Sequence, residues 1–240
     1  DYRTGRVHDM KAITEKAHQA GALMIWDLAH SAGALPVDLT ACNADIAVGC
    51  TYKYLNGGPG APGFIHVRPD LIDQVRPALS GWLGHQAPFA FDLDYRPGEG
   101  ISRMRVGTPP VIQMAVLDAA LDAFDGVDMN ALRARSIELS ERFITEVEAG
   151  CKEVTLASPR DPHQRGSQVS FRFHEGYAAM QALIARGIIG DFRAPDIMRF
   201  GFCPLYNTAE EASFAAAALI EIIATGEWDR PEFRARKAVT

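Results

Sequence analysis

The sequence predicts an α/β protein with a layered sheet, followed by a smaller α+β domain. Helical and strand patterns alternate between residues 8 and 67, whereas long amphipathic helices dominate beyond Pro110. Alternating helix and strand is typical of a sheet that has helices packed on its faces. The pattern changes near residues 107–110, so we expect a large α/β domain at residues 1–109 and a small α+β domain at residues 110–240.

The first domain opens with a helix and then a series of strands. Residues 8–20 carry apolar side chains at helical spacing, and Gly21 follows as a stop signal. Strands are predicted at residues 22–26, 46–50 and 64–67, the first of them as a continuous, buried apolar run. Open α/β sheets bind ligands at the carboxyl ends of their strands. Asp27 and residues 51–53 follow two such ends and are therefore candidate site positions.

The second domain mixes helices with two strands. Apolar periodicity predicts helices at residues 111–124, 129–149, 177–186 and 209–224. Alternating patterns predict strands at residues 168–173 and 197–202. We therefore expect an α+β arrangement in this half of the chain.

Composition excludes several classes of partner. The 240 residues are 48% hydrophobic, and the formal net charge is −6, which is typical of a soluble globular protein that does not bind nucleic acid. The densest basic cluster, at residues 230–237, includes Glu232 and reads as a solvated tail. The most apolar stretch, at residues 214–224, is interrupted by Glu221 and is shorter than the ~20 residues that cross a bilayer, so no membrane partner is expected.

The four cysteines suggest neither a metal site nor a disulfide framework. They are isolated in the sequence and form no CxxC pair; they are Cys42, Cys50, Cys151 and Cys203. A reducing, cytoplasmic environment fits this usage best.

Residues 58–63 match the pattern GxGxxG, but they do not predict a dinucleotide site. That motif requires glycines that open a helix whose free N–H groups bind a pyrophosphate. Here two prolines remove donors and a strand follows, and no Lys-Ser or Lys-Thr makes the segment a P-loop. We interpret the segment as a turn that positions Lys53.

Lys53 is the strongest candidate for chemistry. It follows a predicted strand and lies in TYKYLNGG, between aromatic residues and a tight turn. A lysine in such surroundings can form a Schiff base, and Asp27 at the end of a neighbouring strand could pair with the pyridine nitrogen of pyridoxal phosphate (PLP). Alternatively, Asp27 caps the next helix, or Asp27 and His30 bind a metal, although no third ligand is evident. Residues 197–202 place Arg199 inside a strand, where it needs either a ligand carboxylate or an internal salt bridge.

Five segments together resemble the kynureninases. They are residues 26–33 (WDLAHSAG), 49–60 (GCTYKYLNGGPG), 80–85 (SGWLGH), 107–110 (GTPP) and 198–202 (MRFGF). The resemblance covers essentially the whole chain, and the lysine segment is its most specific part. It implies a PLP enzyme of fold type I, whose large domain contains a mixed sheet. The implied reaction is hydrolysis of L-kynurenine, or its 3-hydroxy form, to anthranilate and L-alanine in tryptophan catabolism.

The resemblance also implies roles for seven residues, with no metal. Lys53 would carry the cofactor and Asp27 would pair with its pyridine nitrogen. His30 would lie beside the cofactor, and Tyr52 would bind the phosphate and take part in proton transfer. Trp82 and Thr108 match residues that contact the cofactor phosphate from the neighbouring subunit of a homodimer. Arg199 would hold the carboxylate of the amino-acid substrate.

Two alternatives remain open from the sequence. Kynureninases have a long N-terminal part before the segment that begins here, so this chain is expected to be a fragment, and the first alternative is that this fragment is catalytically silent by itself. The second alternative is another fold-type-I enzyme, such as an aminotransferase or a cysteine desulfurase. A desulfurase requires a nucleophilic cysteine on a mobile loop, which suits neither Cys151 nor Cys203.

Overall fold

The computed structural model describes residues 1–236 and divides them into two compact units. The first, called the three-stranded unit, comprises residues 9–33 and 37–125. The second, the four-stranded unit, comprises residues 1–8 and 34–36 together with the chain from Gly126 onwards. The domain boundary at residues 109 and 110 was inferred from sequence pattern, and it stays a prediction.

The three-stranded unit contains helix α1 (Met10–Gln19), strands β1 (Ile25–Asp27), β2 (Ile46–Cys50) and β3 (Gly63–Val67), and helix α2 (Val111–Leu121). Strand β2 lies in the centre, parallel to β1 and antiparallel to β3. The predicted α/β pattern is confirmed here. Strand β1 is shorter than expected and includes Asp27 as its last residue.

Helix α1 is tied to the sheet by side chains that the sequence places at defined positions. Its N-cap is Asp9, whose carboxylate accepts a hydrogen bond from the backbone N–H of Ala12 at 2.9 Å. One turn later Thr14 is fully buried, and its hydroxyl accepts the indole N–H of Trp26 at 2.9 Å. Trp26 belongs to a small apolar cluster with Leu28 and neighbouring side chains, so α1 covers one face of the sheet.

The opposite face of this sheet is exposed at Ile25 and Ile65, although Val67 on that face is buried, which corrects the prediction of a fully buried first strand. Successive strand residues point to alternate faces, so Trp26 is buried while Ile25 is 60% exposed. Ile65 of β3 lies on the same open face as Ile25 and is 39% exposed. Within residues 1–236, helix α1 covers only the face that carries Trp26. A run of apolar residues suggests instead a strand that is covered on both faces.

Helix α2 also departs from the prediction. The helix is present, and residues 122–124 continue it as a 3-10 turn, but its apolar side chains surround it instead of forming one stripe. Leu117 is buried, whereas Val111 and Ile112 are 68% and 77% exposed. A helix that is apolar on all sides is normally covered on all sides, so this surface favours association with other protein surface.

A buried carboxylate joins the elements of the three-stranded unit. Asp45 is fully buried, immediately before β2, and accepts the backbone N–H of Met24 at 2.7 Å and His18 Nε2 at 2.8 Å. Arg68, just after β3, lies 2.9 Å from its other oxygen. Burial alone would raise the pKa of Asp45, but the hydrogen bonds from Met24 and His18 and the charge of Arg68 hold it below its usual value.

The four-stranded unit is an antiparallel sheet with helices packed against it. Its elements are α3 (Met129–Gly150), β4 (Thr155–Leu156), β5 (Gln168–Arg172), α4 (Gly176–Ala185), β6 (Asp191–Arg193), β7 (Ile197–Gly201), α5 (Ala209–Thr225) and α6 (Pro231–Arg234). The strand order is β4-β5-β7-β6. Phe143 of α3 is fully buried against Phe171 and Phe200 of the sheet. The predicted helices and strands of this half are confirmed, whereas β4, β6 and α6 were not predicted.

The ends of α5 show why its boundaries could be predicted from sequence. Thr208 and Glu211 form a reciprocal capping box at the N-terminus, and Gly226 ends the helix in the left-handed conformation at φ 71°. Further on, α6 lies in the segment predicted as a solvated tail, and residue 237 of that segment is outside the described residues. No helix within residues 1–236 has the length and apolarity needed to span a membrane.

We expect Asp45→Asn to lower the free energy of unfolding by about 3 kcal/mol at neutral pH, because it removes one partner of a buried ion pair. The folded-state pKa of Asp45 is depressed, so its stabilisation is present above the unfolded pKa of about 3.9 and is lost as the pH falls through the lower, folded value. Urea unfolding of both proteins between roughly pH 2 and pH 7 tests this.

Asp70→Asn is the matched control, because Asp70 binds the same arginine but is 64% exposed. It should leave the unfolding free energy nearly unchanged. Equal losses of unfolding free energy in the two variants would contradict the role given to the buried Asp45 carboxylate. So would a loss in Asp45→Asn that is as large at low pH as at neutral pH.

Candidate active site

The parallel pairing of β1 and β2 brings two of the predicted site residues to one edge of the sheet. Asp27 is the last residue of β1 and pairs in register with Val48 of β2. Strand β2 ends at Cys50, and Lys53 follows three residues later. Because parallel strands end at the same edge, the carboxyl ends that precede Asp27 and Lys53 are adjacent.

Asp27 is exposed and shapes the turn that follows it. One oxygen of its carboxylate accepts the backbone N–H of Ala29 at 2.8 Å, and the backbone N–H of Leu28 donates to Val48 at 2.7 Å. The chain then turns without forming a helix, so the expectation that Asp27 caps a helix is wrong, although the side chain does cap a turn. His30 lies half-buried in this turn.

Lys53 lies in a tight turn that backbone hydrogen bonds define. Thr51 accepts the N–H of Gly57 at 2.9 Å, and Lys53 accepts the N–H of Asn56 at 2.9 Å. Asn56 has a positive φ of 60°, which asparagine tolerates better than most residues. The Lys53 side chain is half-buried, and its Nζ lies 5.2 Å from the centre of the Tyr52 ring, which is itself 50% exposed.

Thr51 and Gly33 hold this turn in place. Thr51 is one of the candidate positions 51–53, whereas Gly33 was not predicted as a site residue. The hydroxyl of Thr51, a buried residue, donates to the carbonyl of Pro62 at 2.5 Å. Gly33 has a φ of +80°, and a Cβ there would lie 2.7 Å from the carbonyl oxygen of Tyr54. The turn after β1 therefore packs backbone against backbone on the lysine turn. The sequence signal was the glycine of AHSAG, which a resemblance can find but periodicity cannot.

The GxGxxG segment has the structure expected of a turn. Gly58 and Gly60 both have positive φ, at 73° and 82°, and β3 begins directly at Gly63. No helix opens at these glycines, so the predicted turn is confirmed, and the segment lacks the helix N-terminus that a dinucleotide fingerprint requires.

Trp82 and Thr108 lie on two segments that are packed closely together. A Cβ on Gly81 would lie 1.4 Å from the carbonyl oxygen of Val106, so only glycine permits this approach. Trp82 is 46% exposed and meets Phe89 edge to face at 5.7 Å between ring centres. Thr108 is exposed. Both side chains are therefore accessible at the surface of the three-stranded unit.

Arg199 belongs to the four-stranded unit, in strand β7. Its Nη2 donates to Asp191, and its Nη1 donates to the carbonyl of Tyr2 at 2.5 Å. Of the two partners expected from sequence, the structure contains the internal salt bridge. Asp191 was not predicted, because a three-residue strand leaves too little alternation to mark it.

The remaining candidates from sequence are placed as follows. Among residues 1–236, no group of three or more His, Cys, Asp or Glu side chains is arranged to hold a metal ion. Cys151 and Cys203 are both buried, at the end of α3 and just after β7. Neither thiol is presented on an exposed loop.

Comparison with known proteins finds similarity to kynureninases. Residues 132–219 match the model of the kynureninase C-terminal domain. The chain is 51% identical over 242 aligned positions to the curated kynureninases of Burkholderia mallei and Pseudomonas fluorescens, with 100% of this chain aligned. The similarity to these kynureninases extends over the whole of this chain. It spans 58% of the length of those relatives.

Similarity to solved structures shows the fold of this chain. A cysteine desulfurase from Thermococcus onnurineus superposes with a TM-score of 0.77 at 21% identity, covering 92% of this chain and 57% of the other. An alanine–glyoxylate aminotransferase from Nostoc sp. gives 0.71 at 19% identity, covering 93% and 59%. At such identities the likeness shows the fold alone. The fold is that of PLP enzymes of fold type I, as the sequence predicted.

We expect Gly33→Ala to destabilise the protein more than Gly21→Ala. Both glycines have a positive φ, +80° and +72°, so the backbone cost to alanine, about 1–2 kcal/mol, is similar. Only at Gly33 would the new methyl meet the carbonyl of Tyr54, whereas nothing lies within 4 Å at Gly21. Overpacking adds about 1–3 kcal/mol. Urea unfolding measures both losses, and equal losses would show that the two turns do not pack as described.

Proposed function

We propose that this chain carries the catalytic residues of a kynureninase, which hydrolyses L-kynurenine or its 3-hydroxy form to anthranilate and L-alanine. The observation that carries this proposal is the edge of the three-stranded sheet. There Lys53 and Asp27 follow adjacent parallel strand ends, within segments that match kynureninases.

The residues at this edge fit PLP. Lys53 is half-buried in its turn, and the described contacts give it no ion-pair partner. Its Nζ can therefore bind the cofactor covalently. Asp27 retains a carboxylate oxygen beyond the one that accepts from Ala29, and it would keep the pyridine nitrogen protonated. Tyr52 is half exposed beside Lys53 and would contact the phosphate. His30, in the turn after β1, would lie beside the cofactor.

Lys53, Tyr52 and Arg199 would have separate roles in catalysis. When bound, PLP would acidify the α-carbon of the substrate by withdrawing its electrons. Lys53 Nζ would then take the α-proton, and Tyr52 would assist proton transfer. Arg199 would hold the substrate α-carboxylate. Water would add to the side-chain ketone and the bond between Cβ and Cγ would break, so that the ketone carbon leaves as the carboxylate of anthranilate and the electron pair stays on Cβ. Protonation of Cβ and return of a proton to the α-carbon would complete L-alanine.

We further propose that the working form is a cytoplasmic homodimer. Trp82 and Thr108 would contact the cofactor phosphate of the neighbouring subunit, and their exposure on two closely packed segments suits that role. The apolar surface of α2, with Val111 and Ile112 exposed, favours association as well.

We expect Lys53→Ala to abolish covalent PLP binding. The chain incubated with PLP and freed of excess should keep a visible absorbance band, because an imine to Lys53 cannot be washed out. Lys11→Ala is the matched control, since Lys11 is an exposed lysine of the same unit and should leave the band intact. Anthranilate fluorescence then tests kynurenine hydrolysis in all three proteins. A band that survives in Lys53→Ala, or is missing from the unmodified chain, would count against the proposal.

We expect Asp27→Asn to impair the cofactor site without impairing the fold. The asparagine oxygen can still accept from Ala29 N–H, so the free energy of unfolding should change by less than about 0.5 kcal/mol. The lost charge would leave the pyridine nitrogen unprotonated, and hydrolysis should fall on the order of 10² or more. Steady-state kinetics and urea unfolding measure the two effects, and a fully active variant would refute the role of Asp27.

A further inference from the structure

Arg199 is held from two sides in the four-stranded unit. It lies on β7 directly opposite Asp191 on β6, and the two side chains form an ion pair across the strands. Its other terminal nitrogen donates to the carbonyl of Tyr2 at 2.5 Å, and the Tyr2 ring lies 6.0 Å away. The Arg199 side chain is only 11% exposed. A cation this deeply placed needs an anionic partner at all times.

Asp191 has a second arginine partner within reach. Its other carboxylate oxygen accepts from Nη1 of Arg193 at 2.9 Å. Residues two apart in a strand face the same side, so Arg193 shares a face with Asp191. The Asp191 and Arg193 side chains are 41% and 40% exposed, far more than Arg199. The three side chains together carry two positive charges and one negative charge.

We propose that Asp191 is a positioning residue that stands in for a ligand carboxylate on Arg199. An arriving α-carboxylate replaces Asp191 at Arg199, and Asp191 stays bound to Arg193. Arg199 is then compensated both before and after the exchange, so it is never left as an unpaired, poorly hydrated charge. That the ligand is the carboxylate of an amino-acid substrate rests on the proposed function. The exchange itself follows from the charges and contacts of the four-stranded unit.

This role predicts that removing the internal carboxylate strengthens ligand binding. Asp191→Asn should bind a carboxylate on the order of tenfold more tightly, because Arg199 loses its competing anion and retains its buried charge. Asp191→Glu keeps the charge and should restore weak binding. Arg193→Gln should act in the opposite direction and weaken binding, since Asp191 then has Arg199 as its remaining arginine partner in this group. A merely structural role for Asp191 would not tighten binding.

Acetate binding to the full chain without PLP tests the proposal. The side-chain N–H signals of arginine are followed by ¹⁵N–¹H NMR, and that of Arg199 is assigned with Arg199→Lys. Sodium acetate is titrated against sodium chloride at constant ionic strength, so that general salt effects cancel. Asp196→Asn is the matched control, because Asp196 lies between the same two strands and pairs with Arg172 at 3.2 Å. It should leave acetate affinity unchanged.

Tighter acetate binding in Asp191→Asn, weaker binding in Arg193→Gln and unchanged binding in Asp196→Asn would support the exchange. Equal or weaker binding in Asp191→Asn would overturn it. The experiment needs neither PLP nor turnover. A negative result in the acetate titration therefore leaves the proposed function standing. Absence of a Lys53-dependent absorbance band would in turn leave the acetate titration interpretable.

Discussion

The parallel pairing of β1 with β2 is the constraint on which the candidate site depends. Two strands that run in the same direction deliver both of their carboxyl ends to one edge, so Asp27 and the segment before Lys53 meet there. Asp45 helps to hold this pairing in register. It precedes β2 and accepts the backbone N–H of Met24, which precedes β1, so the starts of the two strands are joined by a buried hydrogen bond. Because a strand displaced by one residue reverses which side chains face the core, that bond also protects the burial of Trp26.

The position of Lys53 follows from backbone geometry more than from side-chain packing. Its turn is closed by hydrogen bonds from Asn56 and Gly57, and the hydroxyl of Thr51 ties the base of the turn to Pro62. Gly33 lets the turn after β1 approach the carbonyl of Tyr54. These contacts fix the backbone position of Lys53, while its long side chain can still change conformation. This is a suitable arrangement for a residue that is proposed first to anchor a cofactor and then to move a proton.

The parts of the fold that could be predicted from sequence are those in which a local signal agrees with the tertiary structure. The capping box of Thr208 and the left-handed Gly226 define α5 whatever packs against it, and the alternation around Arg199 defines β7. Strands β4 and β6 have two and three residues and are too short to show a period. The open face at Ile25 could not be predicted either. An apolar run suggests a strand that is covered on both faces of its sheet. Whether both faces are covered depends on which other elements pack against the sheet.

The same distinction applies to the residues of the candidate site. Lys53 and Asp27 depend on motifs that are continuous in sequence, and both could be named before the fold was known. Asp191 depends on cross-strand pairing, and nothing in its neighbours marks it until β6 and β7 are aligned. An isolated inward-facing arginine such as Arg199 does imply an anion, because an uncompensated buried charge is too costly to persist. Charge balance can therefore reveal that a partner exists, but only the register of the sheet identifies it as Asp191.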